Sequence, residues 1–197
     1  MKSKTLLYLT YAFVILIVAF LMSLILKQIR RSRNRSALAN SNIAAFLRVI
    51  RSGESSQDDD RAYRMMYGGK LFSSFDDHPR QAFLSSWGWT DAAGAYQFMA
   101  SVPGKVKTNT WDRIQAKLGL PDFSPESQDL AAIELLRERG VYDLILQGYI
   151  EEAINGSSRN TGANKEWASL PNNPYGQPAI TMAKAISTFK QYGGTVA

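Results

Sequence analysis

The 197-residue sequence contains no cysteine and a single histidine. Disulfides, thiolate-bound zinc, iron–sulfur clusters and thiol nucleophiles are thereby excluded, as is any metal site built on several imidazoles. Acidic residues are missing from the first 35 positions, and residues 5–26 hold no charge, glycine or proline. What remains is ordinary for a folded chain, with 45% apolar and 20% charged residues, so a fully disordered chain is excluded. Of the 23 Lys and Arg, seven lie in residues 1–35, leaving 16 against all 17 Asp and Glu. The formal charge of +6 therefore belongs to the N-terminal segment, the body is nearly neutral, and no nucleic-acid partner is expected.

Thr5 to Leu26 is apolar apart from Thr5, Thr10 and Ser23. As a helix rising about 1.5 Å per residue it extends roughly 33 Å, enough for a bilayer core of about 30 Å. It has no polar face, unlike a core helix. A signal peptide would be shorter and would be cut soon after its apolar stretch. The one suitable site, Ala37-Leu38-Ala39, follows Lys27 and four arginines. Residues 1–29 therefore read as a membrane anchor, with lipid contact through 5–26, and 30–42 as a basic, polar linker. The basic flank is heavier after the helix than before it, which by the positive-inside rule places the body in the cytoplasm.

Residues 43–197 read as one α+β domain, mainly helical with a small β-hairpin lobe. Ile43, Phe46, Leu47 and Ile50 recur at helical spacing up to Ser52-Gly53. Tyr63 to Phe75, around Gly68-Gly69, is expected to form the hairpin. Asn109 or Thr110 starts a helix that stops at Gly119, and Ser124-Pro125 starts another that ends at Gly140. Val141 to Ile154 reads as one or two short helices, and Ala179 to Tyr192 as the last.

Glu54, at the end of the first amphipathic helix, is the strongest candidate for chemistry. A carboxyl held there and partly buried has a raised pKa and can donate a proton at neutral pH.

Ser52-Gly53-Glu54-Ser55, Tyr67-Gly68-Gly69-Lys70-Leu71-Phe72, Asp77-His78-Pro79-Arg80 and Ala93-Gly94-Ala95-Tyr96-Gln97 occur in that order. Asp122-Phe123-Ser124-Pro125, Arg137-Glu138-Arg139-Gly140, Trp167-Ala168-Ser169-Leu170-Pro171 and Tyr175-Gly176-Gln177 follow. This ordered set closely resembles the phage lambda-type endolysin family, peptidoglycan lytic transglycosylases with a lysozyme-like fold. The resemblance implies that Glu54 is the sole essential acid and that no metal or cofactor takes part. It further implies cleavage between N-acetylmuramic acid and N-acetylglucosamine, leaving a 1,6-anhydro end. Gly94, Tyr96 and Gln97 resemble a Gly-x-Tyr-Gln stretch shared by lytic transglycosylases and are expected in the sugar cleft. Tyr175 and Gln177 are candidates for its opposite wall.

Other readings stay open. A hydrolytic muramidase would need a second carboxylate, with Asp58, Asp59, Asp60, Asp76, Asp77 and Asp91 as candidates. A non-catalytic peptidoglycan binder could keep the same fold. Trp167, Leu170 and Pro171 read as core, and His78 as a turn residue. The implied substrate puts the body in the periplasm, against the charge flanks, unless the membrane is that of a virion or the basic run only holds anionic headgroups. The Leu- and Ile-rich helix favours permanent anchoring over later release.

Overall fold

The computed structural model describes residues 2–55 and 60–197, with side chains from Tyr8 onward. Asp58 and Asp59 lie outside the described residues.

The chain opens on one long helix, α1 (Lys2–Ala37). Its Tyr8–Leu26 side chains are exposed, and its length and the mean hydropathy of 2.7 over its most apolar 18 residues suffice to cross a membrane. The expected linker at 30–42 is helical through Ala37. Nothing in Arg30–Ala37 breaks a helix, and its last turns have partners on the body. These lie on α3 (Thr110–Leu118) and α4 (Pro125–Glu138). Asn34 is fully buried. Its Nδ2 donates to Leu130 O (3.2 Å) and Glu134 Oε2 (2.9 Å), and its Oδ1 accepts from Arg137 Nε (2.9 Å). Arg31 donates to Gly119 O at 3.0 Å, and Arg35 pairs with Glu126 at 2.5 Å. The exposed ion pair adds little. The enclosed amide, with both N–H groups and its oxygen engaged, costs more to disturb.

α2 (Ser41–Glu54) starts where the Asn40 side chain accepts from Ile43 N at 3.2 Å. Ile43, Phe46, Leu47 and Ile50 face the core, as their spacing requires. The helix continues past Ser52-Gly53, so Glu54 is its last residue rather than the first after it. Ser124 and Pro125 open α4 as capping chemistry predicts. Leu130 to Leu136 are buried around nearly the whole circumference of α4, because α1, α2, α3 and α5 (Tyr142–Gln147) all pack on it. α6 (Ile150–Asn155) follows the turn at Gly148, where φ is +84° and a Cβ would lie 2.3 Å from Thr195 O. α7 (Met182–Gln191) is capped by the Thr181 hydroxyl and packs on α2.

The β lobe is real but lies elsewhere than expected. β1 (Phe83–Ser85) and β2 (Gly88–Thr90) form the antiparallel hairpin, with Leu84 opposite Trp89. Tyr67–Gly69 is instead a tight turn with both glycines at positive φ, flanked by the isolated bridges Met65–Leu71 and Met66–Ala93 rather than by paired strands. Behind this lobe Trp111, Phe123, Phe98 and Phe72 form an aromatic core, Trp111 meeting Phe123 edge-on at 4.6 Å. His78 joins it as the turn residue its motif suggested. Arg80 N–H donates to Nδ1 (3.1 Å), so Nε2 carries the proton and meets Phe98 O (2.9 Å). Burial holds this imidazole neutral, with its pKa pushed down to about 4.

Candidate active site

Glu54 ends α2 facing a loop from the far end of the chain. Ser169 Oγ donates to Glu54 Oε1 at 2.7 Å, and Ser169 N–H donates to the same oxygen at 3.3 Å. Gly53 makes this approach possible, since a Cβ there would lie 2.5 Å from Ser169 Oγ. The loop is anchored by buried Trp167 and Leu170, the core residues they were expected to be. Its base is closed by Ile180 N–H donating to Ser169 O at 2.8 Å.

Burial raises the Glu54 pKa above the ordinary 4.5; the two Ser169 hydrogen bonds oppose this, and the nearby Glu166 charge adds to it. Glu166 is itself held by Arg139, at 2.9 Å from Nε and 2.6 Å from Nη2. Arg51, one turn before Glu54, is committed to Tyr63, Tyr96 and Asp129. The result is a sheltered acid whose electrostatic setting favours the protonated form.

The Gly94–Gln97 segment divides into different roles. Gly94 sits at φ +78°, and a Cβ on it would meet Gln128 Oε1 at 2.3 Å and Phe123 at 2.9 Å. Its glycine is required by packing. Gln128 then accepts from Ala95 N–H at 2.8 Å and donates to Tyr63 O and Phe123 O. Tyr96 is 1% exposed, and its hydroxyl donates inward to Asp129. Its hydroxyl is thus taken by Asp129, as a buried phenol requires, while the residue still lines the groove described next. Gln97, half-buried at φ +47°, lines a groove of about 140 Å³ with Met99, Thr108, Thr110, Glu166 and Trp167 among others. A larger hollow of about 470 Å³ lies at Leu71–Gln81 and includes neither Glu54 nor Gln97.

Tyr175 and Gln177 lie on the loop whose base carries Ser169. Tyr175 is 49% exposed, with its hydroxyl donating to Lys165 O at 2.6 Å. Gln177 is exposed, and its carbonyl accepts from Asn173 Nδ2.

Among the described candidates for a second carboxylate, Asp60 and Asp76 are exposed. Asp77 accepts from Arg80 and the Trp111 indole, and Asp91 from Ala100 N–H. Burial pushes the Asp91 pKa up to about 6. Sequence reasoning missed Ser169, Glu166, Gln128 and Asp129. Ser169 stood inside a quoted motif, but nothing local linked it to a glutamate 115 residues earlier.

The endolysin family model matches residues 44–196. The endolysin of Escherichia phage lambda is 34% identical over 163 residues, 80% of this chain and 94% of that protein. The endolysin of Escherichia phage P2 is also 34% identical, over 173 residues, covering 80% of this chain and 96% of that one. A solved bacteriophage lambda lysozyme complexed with a chitohexasaccharide superposes with a TM-score of 0.68 at 34% identity. It covers 80% of this chain and 97% of that chain. The expected lysozyme-like α+β fold is thus present, and α1 lies outside the matched region. With its family model spanning nearly the whole body, the chain belongs to the endolysin family.

Proposed function

We propose that this endolysin of the lambda lysozyme type, a peptidoglycan-degrading enzyme, acts as a lytic transglycosylase through Glu54. The observation that carries the reading is the sheltered carboxyl of Glu54, held by Ser169 and raised in pKa. Glu54 protonates the glycosidic oxygen between N-acetylmuramic acid and N-acetylglucosamine as the C1–O bond breaks. The resulting carboxylate takes the proton from the muramoyl C6 hydroxyl, whose oxygen bonds to C1. The acid is regenerated and no water is consumed. Hydrolytic enzymes place two carboxyls about 5 to 9.5 Å apart to supply water or a nucleophile. An attacking group already within the substrate removes that need. The lambda lysozyme complex with a chitohexasaccharide supports a glycan strand as the ligand here. Gln97 in its groove, with Tyr175 and Gln177 on the Ser169 loop, are the contacts we assign to it. Mass spectrometry of digested sacculi tests the reaction. We expect anhydro-muramoyl ends, lighter by one water than the reducing ends a hydrolase leaves; reducing ends alone would refute it.

The same proposal places α1 across the bilayer as a permanent anchor, with residues 43–197 as the periplasmic catalytic unit and the last turns of α1 joined to it. Arg31 and Arg35 are engaged by Gly119 and Glu126, and Arg33 lies 3.7 Å from Glu134. Three of the charges that argued for a cytoplasmic body are thus occupied by the body itself. A helix docked in this way holds the cleft near the membrane surface.

A further inference from the structure

We infer that Ser169 is a positioning residue that confines the catalytic proton of Glu54 to Oε2 by placing both of its donors on Oε1. The inference deepens the transglycosylase reading and rests on it.

The geometry is one-sided. Ser169 Oγ at 2.7 Å and Ser169 N–H at 3.3 Å both reach Oε1, and no described residue donates to Oε2. A neutral carboxyl has one good acceptor, its carbonyl oxygen, whose two lone pairs accept two donors. Two donors on Oε1 make that atom the carbonyl oxygen, so the hydroxyl proton sits on Oε2. When the proton leaves, the same contacts become charge-assisted and strengthen. Ser169 therefore holds the side chain in one orientation through both halves of the reaction. The proton leaves from Oε2, and the C6 hydroxyl proton returns to Oε2.

The loop is built to hold this register. Trp167 and Leu170 are buried on either side of Ser169, Ile180 N–H fixes its carbonyl, and Gly53 leaves the space its side chain occupies. The other described ionisable groups near Glu54 are otherwise engaged. Glu166, from the same loop region, is paired with Arg139. On α2, Arg51 bonds to Tyr63 and Asp129, and Arg48 lies 5.1 Å from the Tyr192 ring centroid. Asp129, from α4, belongs to that Arg51 cluster.

The test is the pH dependence of kcat/KM on purified sacculi for the full-length protein and for Ser169→Ala, Ser169→Thr and Gly53→Ala, with a melting curve for each. The first step needs protonated Glu54, so the rate falls as pH rises through its pKa. Removing a donor that favours the carboxylate raises that pKa. Ser169→Ala is expected to lower the maximal rate about tenfold and move the basic limb up by roughly one pH unit. Gly53→Ala, which pushes the hydroxyl away from the other side, moves the limb in the same direction. Ser169→Thr, which keeps the hydroxyl, restores the limb to its wild-type position. A folded Ser169→Ala protein with an unshifted limb overturns the inference, as does a threonine variant that behaves like alanine. If Glu54→Gln kept full activity, the functional reading itself would fail. If Glu54→Gln is inactive and the Ser169→Ala limb is unmoved, only the role of Ser169 is lost.

Discussion

Glu54→Gln is expected to lower the rate of sacculus clearing by at least about 10³-fold while making the protein more stable at neutral pH. A positioned acid or base contributes about 10² to 10⁴ in rate, and here one group serves as both. The amide keeps the shape and can still accept from Ser169, but it has no proton to transfer. The stability gain follows from linkage. The folded-state pKa of Glu54 lies above the ordinary 4.5 because burial penalises the charged form. Below that ordinary value both folded and unfolded states are protonated, and the glutamate costs the fold nothing. As pH rises through the raised pKa the folded protein must carry an unfavourably placed charge, so stability is lost. Glutamine removes that cost. Its melting temperature should exceed the wild type's at pH 7 by a few degrees, with the difference vanishing in acid. Calorimetry across pH, beside a zymogram, checks both halves.

Asp129→Ala should be the most damaging single change to the fold outside the apolar core, lowering stability by about 3–5 kcal/mol. Asp129 accepts from Tyr63 at 2.8 Å and from Tyr96, and lies 3.4 Å from Arg51 Nη1. The Arg51 side chain is only 5% exposed. Alanine would leave a guanidinium and two phenols enclosed without their shared acceptor. Burial already pushes the Asp129 pKa upward, with Tyr96, Arg51 and Tyr63 opposing it. For a body of this size the loss corresponds to a fall in Tm of roughly 10–15 °C. Asp129→Asn, which keeps an acceptor without the charge, should fall between alanine and wild type. Thermal denaturation followed by circular dichroism measures both.

The parts of the fold legible in sequence are those with local causes. Ser124 caps α4 by bonding three residues ahead, and the spacing of Ile43, Phe46, Leu47 and Ile50 marks one buried face. The hairpin at Phe83–Thr90 was illegible because its strands have three residues each and its apolar Leu84 and Trp89 point outward. Gly68-Gly69 has turn chemistry, but paired strands do not flank it. The end of α1 has a linker's composition; it is helical because Asn34 finds partners about a hundred residues away.

The site shows the same division. Glu54 was visible as a carboxyl at a helix end. Tyr96 reads as a sugar contact because an aromatic beside a glycine and a glutamine suits a cleft. The partner of its hydroxyl, Asp129, lies 33 residues on, at a position with no local mark of importance. Ser169 needs the closed fold to meet Glu54 at all.

The most direct test is titration of the Glu54 carboxyl by carboxyl-carbon NMR, with the resonance assigned by its loss in Glu54→Gln. A sheltered acid able to give up and recover a proton should titrate with a midpoint above 4.5. A midpoint at or below that value would mean a solvated or ion-paired carboxylate, and would contradict the account.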